Sequence, residues 1–137
     1  MIEIDIDRDV VQTGAFVTGH VRWAGDARVN RIIIAAHWET RGEGNRVWGV
    51  ARSVVFAPKT GVHEAKVPFR LMIPHAGPIS FEGSLITIVW SIKVRIDQSG
   101  LDEFAEAAFR VEPRRLGSGL HSAVFSSFGR KNSEVKT

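Results

Sequence analysis

Residues 86–97, Ile-Thr-Ile-Val-Trp-Ser-Ile-Lys-Val-Arg-Ile-Asp, decide the fold. Every even position from Ile86 to Ile96 is apolar: Ile86, Ile88, Trp90, Ile92, Val94 and Ile96. The odd positions are mostly polar: Thr87, Ser91, Lys93, Arg95 and Asp97, with Val89 among them. Side chains alternate across a strand with a period of two, so this run predicts a strand with one face in a core and one in water. A turn rich in Pro, Gly and Ser, closed by Glu82 and Gly83, leads into it. No side chain of the strand is an obvious nucleophile or metal ligand, so its expected role is architectural.

The same period recurs outward from that strand. Ile2, Ile4 and Ile6 alternate with Glu3, Asp5 and Asp7, the pattern of a half-buried strand. After a turn at Val10–Gly14, Val17, Gly19, Val21 and Trp23 align opposite Thr18, His20 and Arg22. Ile32, Ile34, Ala36 and Trp38 align next. Their other side carries Ile33 and Ala35, which predicts a central strand partly covered on both faces. The turn Arg41–Asn45 leads to a strand over 46–56, in which Trp48 shares parity with Val50, Val54 and Phe56. Core packing is therefore expected for most of the four tryptophans, Trp23, Trp38, Trp48 and Trp90. Arg52, of the same parity as Trp48, is expected at a strand end, at a bulge, or buried with a partner. Ala65, Val67, Phe69 and Leu71 form another aligned set. The run 101–112 fits a helical stripe (Phe104, Ala108, Val111) as well as a strand (Ala105, Ala107, Phe109, Val111). A strand agrees better with the rest of the chain. Strands spaced by Gly and Pro turns predict an all-β, antiparallel β-sandwich, with an open barrel as the alternative.

A chain of 137 residues with 44% apolar residues supports one domain with a single core. Residues 1–112 hold 13 Lys and Arg against 14 Asp and Glu, whereas 113–137 hold five against one. The net charge of +3 thus resides in the tail, and nucleic-acid binding by the body is not expected. The division is a sandwich over 1–112 and a basic, mobile tail over 113–137. There is no cysteine, hence no disulfide or thiolate chemistry. The first residues lack the features of a signal peptide, and no run approaches the ~20 apolar residues of a membrane helix, so a cytoplasmic location is expected.

Searches for chemistry fail one after another. Asp5, Asp7 and Asp9 recur at every second position, but a helix–loop–helix calcium loop counted from Asp5 needs Gly and Glu where Val10 and Phe16 stand. The histidines His20, His37, His63, His75 and His121 form no metal-spaced pair. Neither Arg41–Asn45 nor Gly117–Gly119 has phosphate-loop spacing, and no nucleophile elbow is present. No catalytic residue, metal or cofactor is expected.

Ser80-Phe81-Glu82-Gly83 followed by a strand with Trp90 and then Ile92-Lys93-Val94 resembles the N-terminal domain of arrestin-domain proteins. That domain has a Ser-Phe/Tyr-Glu-Gly turn, a strand aromatic and a Val-Lys-Ala triplet. The upstream 69–78 segment is similar to the family's Phe-x-x-x-x-Pro approach. Residues 10–21 resemble its early Pro-Gly-Glu-x-Val-x-Gly-x-Val, with Thr13 and Ala15 replacing the proline and glutamate. Residues 37–45 resemble the Trp-x-Thr-Glu-Gly-Lys-Gly segment of bacterial relatives of the sporulation-control type. The resemblance implies an immunoglobulin-like sandwich of the arrestin N-domain type, serving as a non-enzymatic protein-interaction or adaptor module. Such proteins usually have two sandwiches, and this length suffices for one.

The partner expected on this reading is another protein, bound by edge-strand pairing, or a second copy of the chain. Lys93, Arg95, Arg114 and Arg115 are the candidate contact residues, and the basic tail is suited to an acidic surface. Ser80, Phe81, Glu82, Gly83 and Trp90 are expected to be structural. The alternative function is a small-molecule or carbohydrate-binding sandwich that uses exposed tryptophans.

Overall fold

The alternating runs form strands in a computed structural model that describes residues 1–44, 46–59, 63–83 and 85–114. The strands are β1 (Ile2–Ile6), β2 (Val10–Gln12), β3 (Phe16–Ala24), β4 (Val29–Gly42), β5 (Trp48–Phe56), β6 (Glu64–Met72), β7 (Phe81–Glu82), β8 (Ile86–Gln98) and β9 (Glu103–Glu112). No helix occurs among the described residues. The ambiguous run after Asp102 is strand, because β9 supplies the neighbour that β8 needs on its second edge.

One sheet has the order β1-β3-β6, and the other β2-β9-β8-β4-β5, with β7 paired to the start of β8. All described pairings are antiparallel except β2 with β9, a three-residue parallel addition at Val10–Gln12. The sequence pattern gives a turn there, since Val11 is too short a signal to show a strand. Its side chain nonetheless joins the core.

The two sheets face each other across side chains of a single phase. Val17, Val21, Trp23, Val67, Phe69 and Leu71 come from one sheet, and Ile32, Ile34, Trp90, Ile92, Val94 and Ile96 from the other; all are buried. Their alternation is the cause of the sandwich, because each strand can bury only one row without stranding polar groups. Trp90 is fully buried and tilts against Phe109 with ring centroids 5.8 Å apart. Its indole N–H donates to the Pro78 carbonyl at 3.0 Å, so its one polar atom is satisfied.

The turn before β8 is held to β8 and β9 by hydrogen bonds. The Ser80 hydroxyl accepts from the Val111 N–H at 2.8 Å, and the Ser80 N–H donates to the Val111 carbonyl at 2.8 Å. Gly83 donates to the Ile86 carbonyl at 2.9 Å. A Cβ there would lie 2.6 Å from the Phe81 ring and 2.9 Å from that carbonyl, so the position is closed to any side chain. Phe81 itself is exposed, while its backbone and that of Glu82 pair with Ile88 and Thr87.

Candidate functional site

The larger sheet presents a broad outer face on the side away from the core. Side chains of β4, β5, β8 and β9 opposite in phase to the core stand on it: Ile33, Ala35, His37 and Glu39; Trp48, Val50 and Val55; Ser91, Lys93 and Arg95; Phe104 and Glu106. Lys93 and Arg95, chosen from the sequence, are therefore neighbours on β8.

Glu39 is the centre of its charge. Its side chain is 10% exposed, yet three cations reach it. Arg41 Nε donates to Oε2 at 3.2 Å and Arg46 Nη2 to the same oxygen at 3.0 Å. Lys93 Nζ lies 3.8 Å from Oε1, and also 3.7 Å from Glu106 Oε2. The Arg41 hydrogen bond, joined by its charge, the Arg46 bond and Lys93, lowers the Glu39 pKa against the opposing effect of burial. His37 Nδ1, 3.9 Å from Glu39 Oε1, makes no hydrogen bond. Burial first, then the Lys93 charge, lowers its pKa and keeps the imidazole neutral at pH 7. The His37 ring stacks on Trp48 at 5.8 Å between centroids.

These residues wall a depression of about 330 Å³, lined by His37, Glu39, Arg46, Val47, Trp48 and Lys93. Across Lys93 lies a wider, more apolar groove of about 650 Å³ that includes Ile33, Ala35, Phe104 and Glu106. Arg95 stands in that groove and pairs with Asp102 at 3.7 Å. Arg114 follows β9 and donates its backbone N–H to Thr13 Oγ1, so it belongs to a different part of the molecule from Lys93. Arg115 lies outside the described residues.

The strand at the end of this sheet departs most from its sequence pattern. The β4–β5 register shifts between Ala36 and His37: Ala36 faces Arg52, His37 faces Val50, and Ala51 is the extra residue. A bulge of this kind reverses the phase of everything before it. Val54 and Phe56 stay on the inner side, while Val50 and Trp48 turn outward. The expectation that parity takes Trp48 toward the core is thus corrected, and it is 65% exposed. Arg52 sits at the bulge and is exposed, the second of the three placements open to it.

Gly49 allows the Trp38 ring to lie over β5, since a Cβ there would meet that ring at 2.8 Å. β6, the edge of the smaller sheet, approaches β5, yet the inner residues Val54 and Phe56 of β5 stay exposed.

Among the described residues, no group of three or more His, Cys, Asp or Glu is placed to hold a metal ion. No described helix is long and apolar enough to cross a membrane. No protein-family model and no curated protein sequence matches the chain. Among solved structures, the crystal structure of Spo0M, the sporulation control protein from Bacillus subtilis, superposes with a TM-score of 0.69 over 94% of this chain at 17% identity. The two share a fold. Spo0M is a sporulation control protein, the kind of bacterial relative that the segment at 37–45 resembles, and the β-sandwich read from the sequence stands. The chain spans about half of Spo0M, 54% of its length.

Proposed function

We propose that this sandwich is a non-enzymatic protein-interaction module that takes an extended segment of its partner as an added strand on the free edge of β5. One observation carries the reading. β5 is a nine-residue strand at the end of its sheet, and Trp48, Val50, Val54, Val55 and Phe56 are all exposed on it. An edge strand presents a row of main-chain donors and acceptors, and sandwich proteins ordinarily blunt such edges with Lys, Pro or brevity. β5 contains neither Lys nor Pro; the bulge and Arg52 are its protective features. A strand laid beside it gains main-chain hydrogen bonds and covers apolar side chains on both faces. The Spo0M likeness fits a regulatory role of this sort. The carbohydrate alternative needs a platform of several exposed tryptophans, but Trp23 and Trp90 are buried and Trp38 is half-buried, leaving Trp48 alone.

The test is amide exchange on the intact protein with a peptide selected from a displayed library of extended sequences. Slowed exchange along Trp48–Phe56, abolished when alternate amides of the peptide are N-methylated, is the expected result. Slowing confined to β1, β6 or the β2 edge, or binding indifferent to N-methylation, overturns the reading.

A further inference from the structure

The charge around the β5 edge selects the partner. From Gly44 to His63 the sequence contains no acidic residue, while Arg46, Arg52 and Lys59 punctuate it before, within and after β5. All three are exposed. Arg46 spends one guanidinium nitrogen on Glu39, and its side chain is still 74% exposed. Glu39 is one carboxylate shared by Arg41, Arg46 and Lys93, so the depression beside Trp48 carries more positive charge than its own acids offset, even with Glu106 bound to Lys93. Each acidic residue that balances these cations lies on β4 or β9, inward from the edge.

We infer that the segment β5 accepts is an acidic extended peptide, with apolar side chains between its carboxylates. This rests on the strand-addition reading and adds its chemistry. The spacing supports it from both sides. Exposed Trp48, Val50 and Val55 on the outer face, with Val54 and Phe56 on the inner, call for apolar neighbours across the new pairing. Arg46, Arg52 and Lys59, spread along the edge, call for acids between them. Long basic side chains also lie their stems along an incoming strand while their heads meet its carboxylates.

A second copy of the chain is the poorer occupant. The midpoint of Trp48–Phe56 is Arg52. Full antiparallel pairing of two β5 strands sets Arg52 directly opposite its own copy, and like charges so placed are destabilising.

Three N-acetylated nine-residue peptides test the inference: valine alternating with glutamate, with serine, and with lysine. Against the intact protein, the glutamate peptide is expected to bind about tenfold tighter than the serine peptide, the joint effect of two or three exposed ion pairs. That preference shrinks toward unity between roughly 0.1 M and 1 M salt, as the screening length falls from ~10 to ~3 Å. R52E reverses part of it, weakening the glutamate peptide and favouring the lysine one. R46A weakens the glutamate peptide alone; R52E keeps the wild-type melt because its side chain is exposed, while R46A loses at most the Arg46 share of the Glu39 cluster.

Equal binding of all three peptides with β5 amides still protected overturns the acidic inference and leaves strand addition standing. Absence of β5 protection with every peptide defeats strand addition itself. Protection of β5 in a concentration-dependent dimer without peptide assigns the edge to a second copy and overturns the proposal. So does Arg46- and Arg52-dependent binding to phosphatidylserine vesicles with no binding of the glutamate peptide.

Discussion

Glu39 and His37 sit two residues apart on the outer face of β4 and respond to acid in different ranges. His37 is held neutral by burial and by Lys93, so its folded pKa lies below the ordinary 6.5. Below pH 6.5 the unfolded chain takes up a proton that the folded chain resists, and stability falls as pH drops from 6.5 toward the folded pKa. Glu39 has its folded pKa lowered from 4.5 by Arg41, Arg46 and Lys93, so its contribution is complete above 4.5 and is lost on further acidification. The H37Q protein should therefore lose the upper part of the acid sensitivity and keep the lower part, as measured by urea midpoints from pH 7.5 to 3.5. E39Q keeps the shape of the side chain but removes the anion from three cations. Because Arg41 and Arg46 are more than half exposed and rehydrate, the expected cost is only about 1–2 kcal/mol at pH 7, lessened by salt. A cost near zero at pH 7 would show that the cluster does not contribute to folding.

At the scale of the strand, the two tryptophans Trp90 and Trp48 are opposite cases. Trp90 stands in an unbroken alternation with both neighbours paired in register, and its phase follows from the sequence alone. Trp48 has the same kind of alternation on paper, but Ala51 interposes one residue in the pairing with β4 and turns it outward. A bulge has no strong signature in a run such as Trp-Gly-Val-Ala-Arg-Ser-Val-Val-Phe. The one hint was Arg52 at an apolar parity, and it did mark the place. W90A is expected to cost about 3–5 kcal/mol in a denaturant melt, the range for truncating a large buried aromatic. W48A is expected to cost less than about 0.5 kcal/mol, with loss of the fluorescence that acrylamide quenches most readily. Similar costs for the two would put Trp48 back in the core and remove the bulge. The same distinction explains what else was legible. Lys93 and Arg95 are adjacent on the outer face because β8 is regular, whereas the link of Lys93 to Glu39 depends on register between strands far apart in sequence. His37, Glu39 and Arg46 gave no sequence signal of a cluster, since their spacing acquires meaning only when β4 pairs with β5 and β8.

For the molecule as a whole, every described core side chain precedes the basic segment. Among the described residues the last buried side chain is Val111, and the backbone of Arg114 is tied by its N–H to Thr13 Oγ1 beside β2. Main-chain bonds from Thr13 to Glu112 and from Ser80 to Val111 close the end of β9 on both sides. A chain ended after Arg114 should therefore melt cooperatively within about 2 °C of the full chain, because it keeps every described core side chain and a change that leaves the core intact costs about half a kcal/mol or less. Loss of the transition would place residues beyond Arg114 in the core and move the boundary. The removed residues 115–137 carry Arg115, Arg130, Lys131 and Lys136 against Glu134, a net positive charge. If they help to attract an acidic partner, their effect is on encounter, since long-range attraction raises association rates more than it slows dissociation. Stopped-flow binding of the valine–glutamate peptide should then show a slower association for the shortened chain at low salt, an unchanged dissociation rate, and no difference at about 1 M salt. A faster dissociation instead would mean that the tail touches the bound peptide directly, and the division of labour between edge and tail would have to be redrawn.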